Sequence, residues 1–197
     1  MDFVEESKFI SDIITFTKHS KFLYPLMQQF SLQKINDSGR RVVLSRPDIS
    51  FVIKYFDGKD IQQNENPNLL EYKRSKIANS NLFAKVIKRF GNYIIQEKCI
   101  IDKERAIKTA LDLYGYNCDE LGLILFDILD EESSFEDYDL NSKAKNLYFE
   151  CRKILFESFD IHSKNWGFRE NGDMVIIDYG ETVSPNVYKK LLERIEK

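Results

Sequence analysis

Two aspartates, an asparagine and a histidine stand between apolar runs in "DIHSKNWGFRENGDMVIIDYG", residues 160–180. Asn165 follows Asp160 by five residues and Asp178 follows it by eighteen. Between them "WGF" reads as a short strand, "RENGD" as a turn and "MVIID" as a second strand. Such a hairpin carries Asp178 back toward Asn165. A carboxylate and an amide oxygen brought together can hold a hard cation such as Mg²⁺, which takes one or two protein oxygens and the rest from phosphate and water. Asp160 then stands where it can accept a proton from an attacking hydroxyl or orient it. Gly180 permits a sharp backbone turn after the metal-binding position. The plain alternative is a polar-ended hairpin in which Asp160 makes a local turn and Asp178 caps a strand end. His162 is expected as a hydrogen-bonding loop residue and Trp166 as packing beneath the loop.

The elements that must position these residues follow from periodicity. Phe9, Ile10, Ile13 and Ile14, then Phe22, Leu23, Leu26 and Met27, recur at helical spacing, with a break near His19-Ser20. "FSLQKI", "RRVVLS" and "ISFVIKYF" read as strands, the first two joined by the turn "NDSG". Asn66 as N-cap and Pro67 in the first turn predict a helix over "NPNLLEYKRSKIAN". "LFAKVIKRF" and "YIIQEKCI" are two more strands around Gly91-Asn92, so the order is β-β-β-α-β-β. After Ile101 the pattern turns helical. Asp102 caps "KERAIKTALDLY", and "CDELGLILFDILDEE" is a second helix or a continuation of the first. "KAKNLYFECRKILFESF" reads as one long helix with Leu147, Ile154 and Leu155 on its buried stripe, leading to Asp160. At most one short helix follows Gly180.

Composition excludes several classes. With 43% hydrophobic and 31% charged residues, the 197-residue chain can bury one core or the cores of two small lobes. A net charge of -3 gives no expectation of general nucleic-acid binding. No apolar run approaches the roughly 20 residues that span a bilayer, and the acidic start "MDFVEESK" is unlike a secretory signal. Cys99, Cys118 and Cys151 suggest neither a disulfide framework nor a zinc knuckle. A cytoplasmic protein with free thiols is expected.

The D-x-x-x-x-N of residues 160–165 followed by "IDYG" resembles the catalytic and metal loops of the protein-kinase-like superfamily. The form "DIHSKNWG" is closer to aminoglycoside phosphotransferases and to small bacteriophage-encoded kinase-like proteins than to typical eukaryotic protein kinases. The resemblance implies an α+β, two-lobed fold. Residues 1–100 would form an N-terminal helical extension and a β-rich N-lobe, with a five-stranded antiparallel sheet and one helix. Residues 101–197 would form a reduced, mainly helical C-lobe carrying the hairpin. It further implies ATP and Mg²⁺ as cofactors, with Asn165 and Asp178 as metal ligands and Asp160 as the catalytic aspartate. Lys54, in "FVIKYF", would bind the α/β-phosphates. Glu71 would pair with it, and Glu65 would do so if the helix began earlier. Ser38 and Gly39 would touch a phosphate, and the backbone of Glu97, Lys98 and Cys99 would meet the adenine edge.

Departures from the family pattern shape the functional expectation. The loop "INDSGRRVV" has one glycine where a phosphate-covering loop has several, and Ser158-Phe159 replace the usual His-Arg or His-Gly pair. The 17 residues after Gly180 are expected to leave no room for an activation segment. Two readings follow: a phosphotransferase acting on a protein or small-molecule hydroxyl, or a pseudokinase-like module that binds nucleotide or a partner without transfer. Nucleotidyl transfer is a third. A phage-encoded chain would act in the host cytoplasm.

Overall fold

The computed structural model describes residues 3–19, 23–38, 41–58, 62, 65–130, 133–156, 161–180 and 183–195. The chain is α+β and forms two compact units. The first comprises residues 1–61 and 86–98, the second residues 62–85 and 99–197.

In the first unit, helices α1 (Phe3–His19) and α2 (Leu23–Gln29) precede three strands: β1 (Gln33–Ser38), β2 (Arg41–Ser45) and β3 (Phe51–Phe56). Strands β4 (Val86–Phe90) and β5 (Tyr93–Glu97) complete an antiparallel sheet of order β1-β2-β3-β5-β4. Strand β1 begins later than "FSLQKI" suggested and runs through Asn36 and Asp37, which were expected in the turn. Those two residues pair with Val43 and Val42, so ladder bonding prevails over their turn preference.

The alternating pleat gives the sheet two faces. Phe51, Ile53 and Tyr55 pack with Leu44 and Ile95 against Ile13 and Leu26 of the two helices. Phe9 and Phe16 meet Phe30 edge-on at 5.4 and 5.6 Å. Glu6 accepts from both the N–H and the hydroxyl of Ser50, each at 2.6 Å, and so pins α1 to the β2–β3 loop. Val52, Lys54 and Phe56 alternate onto the other face, where Lys54 lies in register between Val43 and Ile94.

The second unit opens on α3 (Pro67–Arg74), where the Asn66 side chain accepts from Leu69 N–H as predicted. Such a cap stabilises a helix by about 1 kcal/mol. Helices α4 (Lys103–Tyr114) and α5 (Cys118–Leu129) are separate. Gly115, at φ 85°, ends the first, and Asn117 with Glu120 forms a reciprocal capping box on the second. Helix α6 (Ser142–Lys153) stops earlier than its sequence suggests. Leu155 takes φ 54°, its N–H bonds to Arg152 O, and Phe156 N–H bonds to Cys151 O. This is a Schellman ending with leucine where glycine is usual, so no punctuation mark in the sequence announces it. Burial of Leu155 against Leu70 and Leu191 offsets the left-handed conformation. Ile154 and Leu155 are buried as expected, but in the turn after the helix rather than on its stripe.

A two-stranded hairpin, β6 (Trp166–Phe168) and β7 (Met174–Ile176), follows a 3-10 turn at Ser163–Asn165. Each of its edges carries a backbone bridge to another segment. Ile100 and Phe168 exchange both backbone bonds at 2.8 Å on one side. On the other, Ala84 N–H reaches Ile176 O and Ile176 N–H reaches Leu82 O, also at 2.8 Å. Helix α7 (Pro185–Ile195) closes the described chain and buries Leu191. No helix among the described residues is long and apolar enough to cross a membrane.

Candidate functional site

The hairpin determines where Asn165 and Asp178 lie. Trp166 pairs with Ile176, and one step further Ile177 N–H donates to the carbonyl oxygen of Asn165 at 2.8 Å. Asp178 is the next residue, so its backbone leaves the hairpin beside Asn165. Asn165 is 9% exposed, and its own N–H donates to His162 O at 2.8 Å. Asp178 is half-buried, and its Oδ1 accepts from Gly180 N–H at 3.4 Å.

The loop leading to Asn165 is held from two directions. His162 Nδ1 accepts from Lys164 N–H at 3.1 Å, which makes it the N-cap of the 3-10 turn and a loop hydrogen-bonder. Ser163 N–H donates to Asp119 Oδ1 at 2.9 Å, across from the first turn of α5. Trp166 beneath the loop is fully buried and packs against Tyr114 at 6.0 Å between ring centroids. At Gly167 a Cβ would stand 2.7 Å from Cys99 Cβ and 2.8 Å from Ile177 Cγ2. Only glycine lets these three segments close on one another.

Arg74, which sequence reasoning passed over, is fully buried at the end of α3. Its guanidinium donates to three carbonyls: Nε to Ile154 at 3.2 Å, Nη2 to Leu155 at 2.6 Å and Nη1 to Tyr179 at 2.7 Å. One side chain thus joins α3, the left-handed turn after α6 and the residue following Asp178. Tyr179 is anchored again by its hydroxyl, which donates to Ala84 O at 2.6 Å, and by its ring against Phe83. The backbone on the far side of Asp178 is therefore held as firmly as the side facing Asn165. The only local signal for Arg74 was a cation one turn from the glutamate in a short helix with a proline start. For Tyr179 it was an aromatic residue between Asp178 and Gly180.

The other predicted residues fall as follows. Lys54 is 5% exposed in the middle of a strand buried throughout, and it belongs to the first unit. Glu71 is fully buried on α3 in the second unit. Glu65 precedes the N-cap and is exposed, so the fallback to it is removed by where the helix starts. Glu97 ends β5 opposite Phe51. Lys98 N–H donates to Ser50 O at 2.8 Å, so that donor already serves the sheet and not an adenine edge. The Lys98 ammonium holds the preceding turn through Arg46 O and Ile49 O at 2.9 and 3.3 Å. Cys99 is half-buried, and Cys118 and Cys151 are buried; none of the three is in a disulfide. Ser38 is the last residue of β1 and pairs with Arg41. Gly39 and Asp160 lie outside the described residues.

One amide, Asn165, and one carboxylate, Asp178, stand at the two ends of a braced hairpin, where the Ile177–Asn165 backbone bond brings the two segments together. No cluster of three His, Cys, Asp or Glu side chains able to hold a metal occurs among the described residues. Magnesium does not require one, because phosphate and water complete its shell. Asn165 and Asp178 suit that ion better than zinc, which prefers closed sites rich in nitrogen and sulfur.

The chain matches no family model and no curated protein. Among solved structures it is similar to the streptomycin-ATP-APH(2'')-IIa ternary complex, at 11% identity over 90% of this chain and 82% of that one, with a TM-score of 0.37. A likeness that loose transfers neither residue roles nor a substrate.

Proposed function

We propose that the protein is an ATP- and Mg²⁺-dependent phosphotransferase of kinase-like fold, acting on a hydroxyl of a protein or small-molecule acceptor. The observation that carries this reading is the 2.8 Å bond from Ile177 N–H to Asn165 O, which seats Asp178 next to Asn165. In this reading Asn165 and Asp178 hold the ion. When bound, the ion neutralises charge on the transferred phosphoryl group. Lys54, oriented by Glu71, steadies the α/β-phosphates, and the backbone of Ser38 and Gly39 adds contacts to them. Asp160 orients the acceptor hydroxyl and takes its proton as the new O–P bond forms and the bond to the ADP oxygen breaks. Phosphoryl transfer asks mainly for positioning and charge stabilisation. Arg74, Asp119 and Tyr179 supply the positioning by fixing the loop and the residues around Asp178.

The test is transfer of labelled γ-phosphate from ATP to candidate acceptors and to the protein itself. Transfer is expected to need Mg²⁺ and to disappear in Asp178→Ala while the variant keeps its fold. Transfer that survives Asp178→Ala sinks the assignment.

One observation favours the second reading, a nucleotide- or partner-binding module without transfer. The Lys98 N–H is spent on Ser50, which removes a donor from the expected adenine-binding segment. Nucleotide at a hundred times its dissociation constant stabilises a protein by about 2.7 kcal/mol, or roughly 5–11 °C at this chain length. Such a shift without phosphate incorporation identifies a nucleotide-binding module. An AMP adduct in the intact mass identifies nucleotidyl transfer.

A further inference from the structure

A pocket lies in the first unit on the α1 face of the sheet, the face away from Lys54. It has a volume of about 620 Å³, and its walls include Ile14, Lys18, Tyr55, Asp57, Phe90 and Tyr93. The aromatic wall is continuous. Phe90 stacks on Tyr93 at 5.2 Å with an interplanar angle of 10°, and Tyr93 meets Tyr55 at 4.7 Å. Two polar features mark the pocket as more than a packing gap. The Tyr93 side chain is buried, at 5% exposure, yet its hydroxyl finds no hydrogen-bond partner. An orphaned buried hydroxyl is unfavourable and asks for a partner. The Asp57 carboxylate lines the same pocket and has lone pairs to offer a ligand.

We propose that this pocket binds a small organic monoamine, an ammonium group carried on an aromatic or apolar body. The ammonium N–H groups donate to the Asp57 carboxylate and the Tyr93 hydroxyl oxygen, and the body lies against Phe90 and Ile14. The aromatic faces add to the attraction for a cation. Lys18 on the same wall repels a second positive charge, so polyamines are excluded where a monoamine is accepted. Burial, helped by the negative charge of Asp57, pushes both tyrosine hydroxyls up to about 12. The hydroxyls therefore stay protonated at neutral pH, with their oxygen lone pairs available to the ligand.

Phenethylamine is the probe, phenylacetate the control of like shape and opposite charge, and spermine the polyamine control. Binding is followed by saturation-transfer NMR and calorimetry at neutral pH in the absence of nucleotide. Phenethylamine is expected to bind, and phenylacetate and spermine are not. Asp57→Asn is expected to weaken phenethylamine about tenfold or more, and Tyr93→Phe by a smaller factor. Asp57 is exposed and Tyr93→Phe keeps the stacked ring, so both variants should retain the native circular-dichroism spectrum. Failure of phenethylamine to bind at millimolar concentration overturns the proposal. Equal binding of phenylacetate does so too, as does unchanged affinity in Asp57→Asn.

Discussion

The side chain on which most of the second unit's geometry converges is Arg74. It is fully buried and spends three guanidinium nitrogens on the carbonyls of Ile154, Leu155 and Tyr179. Truncation leaves those acceptors unsatisfied, at about 1–3 kcal/mol each before water enters to recover part. Arg74→Met is therefore expected to destabilise the protein by about 3–5 kcal/mol, read by denaturant melts. A lysine has the charge but not the planar fork and cannot span three carbonyls, so Arg74→Lys should recover only a fraction of the loss. Full recovery by lysine would show that charge, not fork geometry, is what α3 contributes. Glu71 illustrates a different limit. Its type and spacing from Lys54 were legible, but its full burial was not, because burial depends on neighbours contributed from distant segments.

At the scale of elements, the β6–β7 hairpin is the piece that brings the candidate metal ligands together. It is only three residues per strand and is marginal alone, so its stability comes from the clasp of Ile100 on one edge and Leu82–Ala84 on the other. Gly167 is where that clasp is tightest. Gly167→Ala places a methyl group 2.7 Å from Cys99 Cβ and 2.8 Å from Ile177 Cγ2, both in segments held by backbone bonds. Overpacking of this kind costs about 1–3 kcal/mol, and the melting temperature should fall by roughly 2–12 °C. A variant that melts with the wild type would mean that the three segments close less tightly than the geometry requires. Turn and cap chemistry was readable at Asn66, Asp102 and Gly91, where residue type and conformation agree. It was unreadable at Leu155, where an apolar residue adopts a conformation that sequence rules reserve for glycine or asparagine.

For the molecule as a whole, buried phenols and a buried thiol set the response to alkali. Burial pushes Tyr114 up to about 12, helped by the neighbouring Cys151 and Cys118. It pushes the Cys118 thiol up to about 12, helped by the Asp119 carboxylate. Tyr55 and Tyr93 rise to about 12 in the first unit. The unfolded chain gives up these protons near their ordinary values of 9.0 and 10.0, whereas the folded chain holds them to about 12. The folded state therefore binds more protons across this window. Its stability is intact below pH 9 and is lost progressively from pH 9 toward 12. Melting temperature should fall steadily over that range, with tyrosinate absorbance at these sites appearing only as the protein unfolds. A melting temperature that holds constant or rises above pH 9 would contradict the burial of these groups. Because both units carry such residues, neither should be spared.

The sequence by itself determined the order of elements, the α+β class, the hairpin between Asn165 and Asp178 and the helix that begins at Pro67. All of these rest on periodicity, capping and turn chemistry, which act over a few residues and are written in residue type. Tertiary structure alone decided that Arg74 ties the residue after Asp178 to α3. It alone decided that α6 ends in a leucine turn, and that Lys98 spends its N–H on the sheet. These outcomes depend on which carbonyls and side chains meet across 49 to 105 residues of chain, as Lys98 with Ile49 and Arg74 with Tyr179. Contacts at such separations follow from packing the whole unit, and no local pattern encodes them.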